Sequence, residues 1–390
     1  MKRLLYILLL MATTSLSAQE KPEVSFVYDV DFEMRFDNRE FAKSRFTPSM
    51  TIFGARLTPQ VGLGITESDG TSHRLMAGID VMKDFGASPV SELVAGGKTS
   101  ETSLSLNNLG LFREISFYYN LKKTIAKTDM EIYAGIFPRR TMEGAWSTAF
   151  FSDSLAFYDN NMEGLLLKFR RPKAYFEVGC DWMGQYGKAR REKFMVFTSG
   201  EGKVLPFMSL GYAGYMLHYA NSGQAKGLVD NILLNPYARF ELGGGTGLQV
   251  LSFRLGWLQA MQRDRIYAGA FVFPFGGEFD QEVRNWNVGI HNKMFYGYNM
   301  MPYYNNIDNV GLKYGPDLYF GDPFYRVHED ESADAGFYDR LEFYYEPCIG
   351  EFLQLRVSAL FHFNGSRFSG SQQMVGLRFN LEKCLERYRR

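Results

Sequence analysis

Period-two alternation over long runs is the feature that most narrows what this chain can fold into. From Val24 to Phe36, Phe26, Tyr28, Val30, Phe32, Met34 and Phe36 fall on one face of an extended strand, and Asp29, Asp31, Glu33 and Arg35 fall on the other. In the next run Phe53, Ala55, Leu57, Val61, Leu63 and Ile65 alternate with Gly54, Arg56, Thr58, Gln60, Gly62 and Gly64. Near the C-terminus Leu355, Val357, Ala359, Phe361 and Phe363 face away from Gln354, Arg356, Ser358 and His362. The last run sets Val375, Leu377, Phe379 and Leu381 against Gly376, Arg378 and Asn380. A soluble strand averages about 5–6 residues. A tilted membrane strand needs about 9–11, and several of these runs reach that length.

The alternation predicts an all-β fold, an antiparallel transmembrane β-barrel of about 16 strands. The strands begin near Val24, Met50, Ser72, Phe112, Asp129, Met162, Ala174, Arg191, Leu205, Ile232, Gly247, Ile266, Val283, Phe337, Phe352 and Ser371. Every second connection reads as a short turn: Glu67–Thr71, Thr124–Thr128, Pro172–Lys173, Ser199–Val204, Gly244–Thr246, Gly276–Glu282 and Pro347–Glu351. All the long connections, near 86–111, 139–161 and 298–336, fall between them. Short periplasmic turns and long external loops are the asymmetry of outer-membrane barrels.

The N-terminus sets the compartment. Met1-Lys2-Arg3 is basic, Leu4 to Ala12 is apolar, and Thr13 to Ala18 supplies small residues. Residues 1–18 read as a secretory signal peptide, and 19–390 as one barrel ending in a short tail, 382–390. No later segment has about 18 consecutive apolar residues, so no helical span is expected. Formal net charge is zero, which argues against a nucleic-acid partner. The 34 Phe and 24 Tyr suit interfacial aromatic girdles. Cys180, Cys348 and Cys384 form no Cys-x-x-Cys motif, although they leave room for one disulfide.

The polar faces carry acids and bases together. Candidate pore-lining residues are Arg35, Arg56, Arg74, Arg170, Asp181, Arg239, Glu241, Arg254, Glu342, Arg356 and Arg378. So many charges could not be buried in a dry core without a large desolvation cost, which argues for a wet interior.

The arrangement resembles the general bacterial porins. That likeness implies a 16-stranded barrel in which a long loop after the fifth strand folds inward and narrows the pore. The matching stretch is Arg139 to Asn161, with Arg139, Arg140, Trp146, Phe150, Phe151, Asp153 and Tyr158 as constriction-loop candidates. Its aromatic content differs from the acidic constriction loops of many porins. Ile136-Phe137-Pro138-Arg139-Arg140 resembles the Gly-x-x-Pro strand ends of anion-type porins. Gly376, Phe379 and Leu381 resemble the C-terminal assembly signal of outer-membrane proteins, although the tail continues past it.

These resemblances imply a porin-like channel for passive diffusion of small hydrophilic solutes, not an enzyme, in the outer membrane of a Gram-negative bacterium. The implied partners are outer-membrane lipid, the solutes, the barrel assembly machinery and, in some porins, further copies of the chain. No cofactor is expected. Two alternatives stand beside this reading. One is a barrel subunit or anchor of a secretion or surface assembly. The other is a barrel-embedded lipid hydrolase, because His362-Phe363-Asn364-Gly365-Ser366 is similar to the His-x-Ser-Asn-Gly run of outer-membrane phospholipases. That chemistry needs a hydroxyl within reach of a histidine base, and Asn364 stands where the Ser would. Only five His are present, with no His-x-x-x-His pair, so no metal site is expected there. The acids of 298–336 are ligands of the type calcium prefers, without EF-hand spacing.

Overall fold

The computed structural model describes residues 22–42, 44–86, 112–330, 332–347 and 349–384. The expected signal peptide, all but the first residue of the 86–111 loop, Cys348 and the tail beyond Cys384 lie outside the described residues.

Sixteen antiparallel strands follow in chain order: β1 Glu23–Glu40, β2 Met50–Thr66, β3 Ser72–Asp84, β4 Phe112–Ile125, β5 Thr128–Pro138, β6 Asn161–Arg171, β7 Ala174–Gly184, β8 Lys193–Leu205, β9 Met208–Tyr219, β10 Val229–Glu241, β11 Val250–Asp264, β12 Phe275–Asn285, β13 Val288–Gly297, β14 Gly336–Tyr345, β15 Leu353–Asn364 and β16 Arg367–Asn380. Each pairs with its sequence neighbours. The ring closes where β1 meets β16, from Asp31 opposite Asn380 to Glu40 opposite Ser371. Closure removes the edge strands, the only way a sheet satisfies its backbone in hydrocarbon.

The outward side chains form an exposed apolar belt, with Val61, Leu63, Ile79, Phe117, Leu210, Leu255, Ile290 and Val357 among them. The strands end at the short-turn side in Asn380, and a helical turn, residues 381–384, tucks beneath the barrel. There Glu382 pairs with Arg74 at 3.1 Å.

Two expected turns are strand instead. Residues 199–203 continue β8, paired with β9 from Ser199 opposite Ala213 to Lys203 opposite Ser209. Gly276 and Gly277 lie inside β12, and the turn falls at Trp286–Asn287. Gly276 makes space rather than a bend: a Cβ there would meet the Phe295 ring at 2.4 Å. Trp286 (φ 50°) and Asn287 (φ 64°) take the positive φ that a two-residue hairpin demands, as do Ala126 (φ 49°) and Lys127 (φ 66°). Neither pair contains the glycine that normally marks such a turn. The strand expected from Ile266 begins at Phe275, after a loop over 265–274.

The inner face is not uniformly polar. Toward the long-loop end Phe137, Met162, Phe197, Tyr215, Leu217, Leu233, Phe295 and Tyr338 point inward and are buried. Burying one such side chain contributes about 1.5–3 kcal/mol. Their cover comes from two loops folded into the barrel, 139–160 and 298–335.

Candidate functional site: an external vestibule above a septum

The chain after β5 turns into the lumen and crosses it. Arg139 pairs with Asp181 on β7 at 2.9 Å and with Asp159 at 3.0 Å. Arg140 reaches Asp31 on β1. The N–H groups of Glu143 and Gly144 donate to the two oxygens of Glu177 at 2.7 and 2.8 Å. Arg254 on β11 donates to the Ala145 carbonyl at 2.8 Å, and the Ser147 hydroxyl donates to Glu278 on β12. Further on, Arg340 on β14 holds the Asp153 carboxylate, Arg39 donates to the Ser154 hydroxyl at 2.6 Å, and Arg56 donates to the Tyr158 carbonyl at 3.1 Å. The inward charges of at least six strands thus anchor one loop.

Aromatic packing completes the crossing. Trp146 stands edge-on to Phe150, Phe151 and Phe197, and Phe150 stands edge-on to Tyr215. The second loop locks on top. Ser152 N–H donates to Phe320 O and Asp322 N–H to Thr148 O, both at 2.8 Å. Gly321 is required at this junction, because a Cβ there would lie 2.0 Å from the Ala149 carbonyl oxygen.

Residues 145–155 therefore separate two cavities. Ala145 and Trp146 line one of about 750 Å³ at the short-turn end, walled by Lys203, Arg239, Glu241, Arg254, Asp280 and Lys293. Ser152 to Leu155 line another of about 390 Å³ at the long-loop end. Ser147, Thr148, Ala149 and Phe150 lie buried between the two.

The second cavity is the candidate site. Its polar wall holds Arg35, Arg39, Thr47, Ser152, Asp153, Ser154 and Asp322, and its apolar wall holds Phe41, Phe46, Tyr304, Tyr319, Phe320 and Phe324. Period two places Arg35, Asp37 and Arg39 together on the inner face of β1. The buried Asp37 carboxylate holds both guanidiniums, Arg39 at 2.8 Å and Arg35 at 3.2 Å. Two loop carboxyls are pushed apart. The Arg340 guanidinium beside Asp153 holds its carboxyl below the usual carboxylate range. Burial pushes the Asp322 carboxyl above it, against the hydrogen bond accepted from the Phe324 N–H. Carboxyls displaced in opposite directions in one cleft are the usual raw material of acid–base chemistry.

The other sequence candidates are spread around the lumen. Arg56 pairs with Asp80 at 2.8 Å, Arg170 with Glu143, Arg239 with Glu201 at 3.3 Å and Arg378 with Asp31 at 3.2 Å. Arg356 bridges Glu342 at 3.0 Å and Glu346 at 2.6 Å, and Glu241 lies 3.9 Å from Lys203 at the short-turn rim. Of the candidates, Arg35, Asp153 and Tyr158 line the vestibule. Sequence reasoning misses Asp37, Arg39, Thr47, Ser152 and Ser154, and reaches Asp322 only as one of the 298–336 acids of the type calcium prefers. Continuing the alternation two steps beyond Arg35 would have found Asp37 and Arg39.

His362 and Ser366 do not form a pair. Ser366 lies in the turn between β15 and β16 at the long-loop end, while the buried His362 ring is held by Tyr338 and Gln372. Among the described residues no group of three His, Cys, Asp or Glu gathers as a metal site, and no helix is long and apolar enough to cross a membrane.

Fold and site define a class: a 16-stranded barrel of the Gram-negative outer membrane, in contact with its lipid, with its lumen crossed by its own loops. Residues 19–235 match the family model described as lipid A 3'-O-deacylase-type, and the chain belongs to that family. No curated relative matches it. Among solved structures, OmpT, an outer membrane protein of Vibrio cholerae, aligns with a TM-score of 0.51 at 8% identity, over 93% of this chain and 100% of that one. Its trimer form aligns at 0.50 and 8% identity, over 92% and 99%. An anion-selective porin from Comamonas acidovorans gives 0.46 at 10% identity, over 92% and 100%. The OmpT likenesses show the fold alone. The family match corrects the expectation that the chain is not an enzyme, because the family is one of deacylases.

Proposed function

We propose that the external vestibule binds an acylated, anionic lipid of the outer leaflet and hydrolyses an ester-linked acyl chain, in keeping with the family's 3'-O-deacylase description. The observation that carries this reading is the composition of one cavity. Two guanidiniums, Arg35 and Arg39, face an aromatic wall within about 390 Å³ at the end where long loops meet the outer leaflet. Arg guanidiniums suit phosphate or a developing oxyanion, and the aromatics suit an acyl chain. Asp322, with its raised carboxyl, is the proton acceptor for an attacking water or hydroxyl, and Thr47, Ser152 and Ser154 supply hydroxyls. Purified protein in neutral detergent is expected to remove one acyl chain from lipid A, read by mass spectrometry, with Arg39→Gln losing at least about 100-fold in rate. Intact lipid A after prolonged incubation with wild-type protein across pH 5–9 would overturn the reading.

A second reading draws on the periplasmic cavity of about 750 Å³ and its mixed charges. Such a wall suits passage of small hydrophilic solutes once the septum moves. Conductance steps from the wild-type protein in a planar bilayer would favour it, and a sealed membrane would remove it.

A further inference from the structure

The buried side chains behind the vestibule form one continuous hydrogen-bonded line whose direction is fixed from one end. Asp37 can only accept. One of its oxygens, Oδ2, takes the guanidinium hydrogens of Arg39 (Nε 2.9 Å, Nη2 2.8 Å) and Arg35 (3.2 Å). The other, Oδ1, accepts from Gln372 Nε2 at 3.0 Å. The Gln372 amide is thereby oriented with Oε1 toward His362 Nε2, 2.8 Å away. An amide oxygen accepts, so Nε2 carries the ring proton. Nδ1 is then the acceptor, and the Tyr338 hydroxyl donates to it at 3.0 Å. The line runs from β14 through β15 and β16 to β1, and ends on the two arginines of the cavity.

The same imidazole also shapes the apolar wall. Phe324 stacks on it at 4.6 Å between ring centroids, and Phe41 meets it edge-on at 5.3 Å. Both rings line the vestibule. His362 itself is 1% exposed, so no substrate touches it.

We infer that His362 and Gln372 are positioning residues of the vestibule. The His362 Nε2–H fixes the Gln372 amide, the amide fixes Asp37, and Asp37 aims Arg35 and Arg39 at an anionic headgroup. This inference rests on the reading of the vestibule as an anionic-lipid site. Without a donor at Nε2 the Gln372 amide loses the contact that keeps its oxygen away from the carboxylate. Asp37 then loses a hydrogen bond, and the arginines lose their fixed aim.

The contrast of two isosteric halves of the ring tests it. Gln places its amide nitrogen where His has Nε2, and Asn places its own near Nδ1. Hexyl phosphate is titrated by calorimetry into the full-length protein in neutral-detergent micelles. His362→Gln is expected to bind within about threefold of wild type. His362→Asn and Gln372→Leu are expected to weaken binding about tenfold or more, since one lost charge-assisted contact is worth about 1.4 kcal/mol or more. Thermal unfolding of the two His362 variants, both of which lose the ring, is the control for packing. Equal binding by His362→Gln and His362→Asn overturns the inference and leaves the acyl-ester reading untouched. Failure of wild-type protein to bind hexyl phosphate overturns it too, while lipid A cleavage is scored separately in the same preparation.

Discussion

At the scale of single residues, the septum depends on positions where one atom more or less decides the outcome. Gly321 is the sharpest. An added Cβ would meet the Ala149 carbonyl oxygen at 2.0 Å and its carbon at 2.6 Å, both backbone atoms that cannot swing away. Gly321→Ala is expected to cost about 1–3 kcal/mol of overpacking and to break the paired hydrogen bonds between the two loops. Limited proteolysis should then cut within 145–155. Gly277→Ala, where a Cβ has open space around it, should change stability by no more than about 0.5 kcal/mol. Asp322 and Asp153 make a second prediction. A raised carboxyl stays neutral until the pH climbs above the usual carboxylate range of about 4, so a step that needs ionised Asp322 has its acid limb displaced upward. The lowered Asp153 keeps its pair with Arg340 above that range and loses it as the pH falls through its own depressed value. The pH profile of lipid A cleavage is therefore expected to lose rate on the acid side while the loop is still pinned. Asp322→Asn should remove the limb together with the activity, and a profile flat down to about pH 4 would contradict the assignment.

At the scale of elements, residues 145–155 are the part whose removal is most telling. Replacing them with a short Gly-Ser linker should join the two cavities and raise conductance in a planar bilayer above that of the wild-type barrel. Unchanged conductance would show that the 298–335 loop closes the lumen by itself. The strands were legible in the sequence because period two leaves its mark on every residue, and most starts fell within a few positions of the paired strands. The turns were less so. Trp286–Asn287 and Ala126–Lys127 bend without glycine because strand pairing imposes the positive φ, and Gly276 is small for the sake of Phe295. The vestibule was barely legible. Its residues come from β1, from β16, from the 41–49 segment and from two loops far apart in the chain, and no spacing in the sequence records a contact made by folding into a lumen. Arg35, Asp37 and Arg39 are the exception, since one strand carries all three.

At the scale of the whole molecule, the two faces of the wall answer to different solvents. The exposed apolar belt should resist charge. Val61→Arg, on the outer face of β2 and 51% exposed, is expected to cost about 2–4 kcal/mol if it sits near the bilayer midplane. Guanidinium titration in phospholipid vesicles measures this, and the cost should vanish in a neutral detergent that adapts to the new charge. Inside, the same barrel spends its charges on holding loops. Arg56, Arg254 and Arg340 bind the 139–160 segment, and Asp31 and Asp181 hold its Arg140 and Arg139, where a porin-like reading would leave these wall charges to water.

The septum carries a consequence for the cell that bears this protein. With residues 145–155 between them, the two cavities open toward opposite ends of the barrel, like cups set back to back. If the proposed deacylation runs in the outer one, the surface coat is remodelled from outside, with that wall standing between the reaction and the compartment beneath.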